Sequence, residues 1–231
     1  MSFFQRALIW ETGFSVTPSI AYGDDERQKL DIYTPRAAPP RATVMFVYGG
    51  SWTSGNRALY RFLGQALAGR GYQVVVPDYR LAPVHAYPDF VEDTARAFAW
   101  VKSHIAGHGG DPARVILMGH SAGAYNVAMI ALDPVWLAPY GLKPSDALGV
   151  LALAGPLSFN PLNTASTKPI FQGAPDIERA RPIKLAAEGA AGAPPFLLVH
   201  GTADTTVGDH NSRNFADAMN AAGGRASVTL Y

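Results

Sequence analysis

Short apolar runs separated by segments of helical pattern constrain this chain more than any other feature. Thr43 to Tyr48, Gln73 to Pro77, Val115 to Met118, Gly149 to Ala154, Phe196 to His200 and Ala226 to Tyr231 are rich in Val and Leu and show little polar alternation. Such runs predict strands covered on both faces. Between them, Pro88 to Ile105 carries Phe90, Ala97, Phe98, Val101 and Ile105 at helix spacing and leaves Arg96 and Lys102 for solvent. Asp89 and Glu92 stand where a helix start uses acidic groups. Leu59 to Ala68 and Ser212 to Ala222 read likewise, the latter closed by Gly223 and Gly224. Ala122 to Leu132 is apolar almost all round, the pattern of a buried helix. Strand and helix alternate from residue 43 to the end, which predicts an α/β fold with a mostly parallel central sheet flanked by helices. Ser19 to Tyr33 predicts an antiparallel lead-in hairpin. From Gly155 to Pro195, rich in Pro, Ala and Gly, the regularity fails and a small cap over the carboxyl ends of the strands is expected.

The 231 residues suit a single domain spanning 1–231. Lys plus Arg (19) nearly balance Asp plus Glu (18), and no basic cluster is present to track a phosphate backbone, so no nucleic-acid partner is expected. No apolar run reaches the roughly 18 residues of a membrane span, so no membrane partner is expected. The first ten residues lack a charged leader, apolar stretch and cleavage site, which makes the cytoplasm the expected location. Without cysteine, any covalent nucleophile is an oxygen or a nitrogen.

Gly119-His120-Ser121-Ala122-Gly123 is a G-x-S-x-G sequence that follows one predicted strand and opens a predicted helix. The setting matters more than the pentapeptide. A strained strand-to-helix turn lifts the serine hydroxyl out of the sheet, needs glycines on either side for close backbone approach, and leaves the Ala122 N–H at a helix N-terminus where negative charge is stabilised. The competing reading is a tight turn whose serine merely caps the helix. Upstream, Tyr48-Gly49-Gly50-Ser51-Trp52 ends the first parallel strand, and such a loop can turn consecutive N–H groups toward one point. An ordinary Gly-Gly turn explains that loop equally well.

These motifs resemble the α/β-hydrolase superfamily, specifically small carboxylesterases of the hormone-sensitive-lipase, kynurenine-formamidase and prenylcysteine-methylesterase-like type. Asp78-Tyr79-Arg80-Leu81-Ala82-Pro83, Asp111-Pro112 and Leu30-Asp31-Ile32-Tyr33-x-Pro35 also look like theirs. In those relatives an H-G-G-G-W-like loop precedes the nucleophile; here Tyr48 stands at the histidine and Ser51 at the third glycine. The resemblance implies that Ser121 is the nucleophile and that the backbone N–H groups of Gly50, Ser51 and Ala122 form the oxyanion hole. It also implies that Asp204, in His200-Gly201-Thr202-Ala203-Asp204-Thr205-Thr206-Val207, is the acid. Asp176 and Asp209 are the substitutes for it.

A serine hydroxyl needs a base, ordinarily a histidine oriented by a carboxylate, and in this fold the chain order is Ser, Asp or Glu, then His. The resemblance puts the histidine on the loop after the strand ending at Tyr231, so the expected base lies beyond Tyr231, with the C-terminal end of the fold missing from this sequence. Of the histidines present only His210 follows Asp204, and it is the alternative base. His120 is expected to point away from Ser121. The reading is a serine carboxylesterase that acts on a small-molecule ester of a small acyl or aryl group through an acyl-enzyme, with no metal and no organic cofactor. Trp52, Tyr125 and Phe159 are its expected substrate-binding residues. An arylformamidase or amidase shares the same residues, and a non-catalytic hydrolase-fold binding protein follows if the base is absent. The sequence sets no oligomeric state.

Overall fold

The computed structural model describes residues 13–231, so the leader reading of the first ten residues lies outside the described residues. Among the described residues eight strands form one sheet in the order β1-β2-β4-β3-β5-β6-β7-β8. β1 (Phe14–Ala21) and β2 (Lys29–Pro35) make the expected hairpin, longer at both ends than the sequence implied, and β2 pairs antiparallel with β4 (Gln73–Pro77). β4, β3 (Thr43–Val47), β5 (Val115–His120), β6 (Gly149–Leu153), β7 (Phe196–His200) and β8 (Ala226–Leu230) then run parallel.

α1 (Arg61–Ala68) packs on β2 and β4, and α2 (Asp89–His104) on β3, β4 and α3 (Ala122–Leu132). Every residue of α3 is buried, as its all-round apolar sequence implies. Chain order departs from spatial order at β3: it connects to β4 on one side, and β5 connects to β6 on the other. The crevice between the carboxyl ends of β3 and β5 is therefore the topological switch point, where open α/β sheets bind ligands.

The region expected to be irregular holds two helices, α4 (Lys168–Phe171) and α5 (Pro182–Gly189). α5 begins with proline at its first position, where the missing N–H costs nothing. α6 (His210–Ala221) packs on β7, β8 and α5. The expectation of strands covered on both faces holds for β3 and β4, where every residue is buried, and fails for β6 to β8. There burial alternates, and Leu197 stays 42% exposed, because α3, α5 and α6 gather on one face.

Candidate active site

Ser121 sits between β5 and α3 with φ 52° and ψ −121°, a backbone conformation that costs a non-glycine residue roughly 1–3 kcal/mol. The turn is held by the Ser121 N–H donating to the Leu153 carbonyl at 2.9 Å and by the Ser121 carbonyl accepting from Ala124 (2.9 Å) and Tyr125 (3.2 Å). The flanking glycines are required sterically. A Cβ on Gly119 would stand 2.4 Å from the Gly123 carbonyl oxygen, and one on Gly123 would stand 2.0 Å from that of Val47. The start of α3 thus lies directly on the end of β3.

Residues after β3 form a left-handed loop, with φ 133° at Gly50, 51° at Ser51 and 60° at Trp52. The Gly50 carbonyl turns inward to accept from Thr53 (3.0 Å) and Ser54 (3.1 Å), while among the described residues no protein oxygen accepts from the backbone N–H of Gly50, Ser51 or Ala122. A Cβ on Gly49 would meet Ser121 Cβ at 2.9 Å and His120 Nδ1 at 3.1 Å. Loop and nucleophile turn are therefore in contact. The His120 ring borders the same glycine from the nucleophile turn.

Tyr48 Oη donates to Asp78 Oδ1 at 2.7 Å, Tyr79 Oη donates to the Tyr48 carbonyl at 3.0 Å, and the Ala82 N–H donates to the Trp52 carbonyl at 2.9 Å. The D-Y-R-L-A-P stretch is thus the clamp on this loop. Burial, and after it the Asp78 charge, push the Tyr48 hydroxyl pKa upward and keep it a donor. Arg57 holds Asp78 in turn, pairing with it and, at 2.8 Å, with Asp31.

Asp204 lies in the loop after β7. Its Oδ1 accepts from Thr206 (2.8 Å) and Val207 (2.9 Å), and the N–H groups of Val207 and Thr206 hold its pKa below the ordinary carboxylate value. Its Oδ2 is left 3.7 Å from His200 Nε2. Both nitrogens of His200 are already used. Nε2 lies 2.6 Å from the Val207 carbonyl, so it donates there, and Nδ1 accepts from Ser212 Oγ at 2.8 Å. His120 is half-buried, and burial lowers its pKa while the charge of Asp204 partly offsets that. Asp204 and His120 therefore sense each other. His210 is exposed, its Nε2 is 3.3 Å from Asn211 Nδ2, and it shares no hydrogen bond or ion pair with Asp204. Asp209 pairs with Arg213 at 2.9 Å at the start of α6, and Asp176 accepts from the Glu178 N–H at 2.9 Å in a local turn.

The three expected substrate-binding aromatics meet. Trp52 stacks on Phe159 at 6.2 Å and meets Tyr125 edge-on at 5.2 Å. Trp52 (2% exposed) and Tyr125 (0%) are nevertheless enclosed, because Phe90 and Phe171 fill the remaining sides, and only Phe159 keeps free surface. Sequence reasoning missed Phe90, Phe171 and Asn126, whose Oδ1 accepts from Trp52 Nε1 at 2.9 Å. The signal for Asn126 was a lone amide in an otherwise apolar helix. Among the described residues no group of three or more His, Asp or Glu is placed to hold a metal ion, and no helix is long and apolar enough to cross a membrane.

The BD-FAE family model matches residues 30–135. A probable isoprenylcysteine alpha-carbonyl methylesterase of Arabidopsis thaliana is 34% identical over 94% of this chain and 50% of its own length. Esterase LipC of Mycobacterium tuberculosis (strain ATCC 25618 / H37Rv) is 31% identical over 87% of this chain and 54% of its own. The chain spans about half the length of the curated relatives it matches. Among solved structures, Thermogutta terrifontis esterase 2 phosphoramylated by tabun superimposes with a TM-score of 0.77 at 28% identity, covering 95% of this chain and 83% of that one.

Proposed function

Proceeding from a chain that belongs to the α/β-hydrolase superfamily, we propose that it is a serine carboxylesterase acting on esters of small acyl or aryl groups. One observation carries the reading: Ser121 stands on a left-handed crest at the switch point, against a loop whose Gly50 and Ser51 amides, with that of Ala122, have no protein acceptor among the described residues.

In this mechanism Ser121 Oγ attacks the ester carbonyl carbon while an imidazole takes its proton. The carbonyl oxygen becomes an oxyanion held by the Gly50, Ser51 and Ala122 N–H groups, whose positions are set before substrate arrives. Collapse expels the alcohol, which takes the proton from the imidazole. Water then repeats the sequence and releases the acid. Asp204 orients and stabilises the imidazolium through Oδ2, since Oδ1 is spent on Thr206 and Val207. Tyr231 is tied to the loop that carries Asp204, with Thr202 N and Oγ1 each donating to the Tyr231 carbonyl at 2.8 Å. Phe159 is the aromatic left to touch the acyl or aryl group, with Trp52 and Tyr125 forming the wall behind it. That filled wall favours short groups over long chains.

The test compares hydrolysis of a chromogenic acetate and of N-formylkynurenine by the wild-type chain and by Ser121→Ala. The expected result is turnover of the acetate that disappears in Ser121→Ala without loss of folding, together with labelling of Ser121 by an organophosphate. Preference for the formamide reassigns the substrate to the arylformamidase class. A folded wild-type chain with neither turnover nor labelling overturns the enzyme reading in favour of a binding protein.

A further inference from the structure

Asn126 is fully buried in a helix that is otherwise almost wholly apolar. Asparagine is a weak helix former, and burying its amide costs free energy unless the amide is bonded, so its presence calls for a partner. For the oxygen that partner is the indole N–H of Trp52 at 2.9 Å, which as an indole nitrogen only donates, while Asn126 Nδ2 makes a longer bond to the Phe90 carbonyl at 3.5 Å.

We propose that Asn126 is a positioning residue for the oxyanion loop, holding Trp52 by its N–H so that Gly50, Ser51 and Trp52 keep the left-handed path that turns the loop amides toward Ser121. The inference rests on the esterase reading of Ser121. The rings of Phe90, Tyr125, Phe159 and Phe171 surround Trp52 at 5.0 to 6.2 Å and give it shape, but ring contacts tolerate sliding and rotation of an indole. A single directional bond removes that freedom. Two adjacent non-glycine residues, Ser51 at φ 51° and Trp52 at φ 60°, persist in a costly conformation only where their surroundings over-determine it. The bond from Ala82 to the Trp52 carbonyl fixes the main chain of that residue, and Asn126 fixes its side chain. The acceptor is carried on the same helix that opens at Ser121, so hydroxyl and oxyanion donors are referenced to one rigid element.

The experiment uses Asn126→Leu, Asn126→Asp, Trp52→Phe and the double variant Trp52→Phe/Asn126→Leu in the full chain. Three readouts apply: kcat and KM on the chromogenic acetate, the rate of Ser121 labelling by an organophosphate, and amide hydrogen exchange of the Tyr48 to Asn56 segment. Asn126→Leu is expected to lower kcat and labelling about 10- to 100-fold, with KM changed by less than about 3-fold, and to speed exchange in the loop. Asn126→Asp keeps an acceptor oxygen but buries a carboxyl group and drops the donor to the Phe90 carbonyl, so it recovers only part of the loss. Trp52→Phe removes the donor, and the double variant loses no more than the worse single one, because both act through one bond. Wild-type kcat and loop exchange in a folded Asn126→Leu overturn the proposal, as do losses that add in the double variant. Persistent turnover in Ser121→Ala instead sinks the esterase reading, and loop exchange then still decides the Asn126 link.

Discussion

Tyr48 Oη and Asp78 Oδ1 lie 2.7 Å apart, and this bond fastens the end of β3 to the end of β4 just before the two chains diverge. The tyrosine does at this position what a short polar residue could not: it spans the gap to a buried carboxylate and stacks on Tyr79 at 4.9 Å. Tyr48→Phe keeps the stacking and removes the donor, leaving Asp78 with Arg57 alone among these partners. A hydrogen bond to a charged group contributes about 1.5–3 kcal/mol, so the variant is expected to lose about 2 kcal/mol in urea unfolding. Its esterase kcat should fall as well, because the freed strand end leads directly into Gly49 and Gly50. An unchanged urea midpoint contradicts the clamp.

Gly123 tests the steric basis of the turn. The methyl of Gly123→Ala meets backbone oxygens of Val47 and Tyr48, neither of which can swing aside as a side chain would. Either α3 or the oxyanion loop must move. Overpacking of this kind costs about 1–3 kcal/mol, and the expected signature is a lowered Tm together with slower organophosphate labelling of Ser121. Labelling at the wild-type rate counts against contact between the two halves of the site.

Asp204 links catalysis to pH. Its pKa is depressed in the folded protein by the Val207 and Thr206 amides, so the unfolded chain binds the proton first. The stability it contributes is therefore fully present above the ordinary aspartate value of about 3.9 and is lost as pH falls through the lower folded value. The gap in urea midpoint between wild type and Asp204→Asn is expected to stay level from about pH 8 to 5 and to close below about pH 4. At neutral pH the same variant should lose about 10³- to 10⁴-fold in kcat, as expected of a carboxylate that orients the base. A gap that persists into strong acid removes the carboxylate from this account.

Much of this was legible before any coordinates. The strand runs from Thr43 onward and the helix Ala122–Leu132 follow from unbroken apolar stretches, and the lead-in hairpin from loose alternation. Other features depend on neighbours distant in sequence. Leu151 and Leu197 read as buried strand residues, yet their exposure is set by which face collects α3, α5 and α6. Trp52 and Tyr125 read as pocket lining, yet Phe90 and Phe171, from α2 and α4, close over them. Asn126 announced only that a buried amide needs a partner; which donor it meets, 74 residues away in sequence, is a property of the folded sheet.

His120 supplies the last test, because burial and Asp204 pull it in opposite directions. Burial dominates and lowers its pKa in the folded protein, while the nearby carboxylate raises it in part. The unfolded chain again takes the proton first, so the stability tied to neutral His120 is present above about pH 6.5 and lost as pH falls through the folded value. His120→Gln removes this dependence, and its stability should decline less steeply than wild type between about pH 7 and 5. The Asp204→Asn variant takes away the charge that raises the His120 pKa. An NMR titration of the His120 ring protons is therefore expected to show a still lower pKa in Asp204→Asn than in wild type. An upward move, or none, would mean that the acid loop does not face the nucleophile turn, and Asp204 would lose its place in the proposed site.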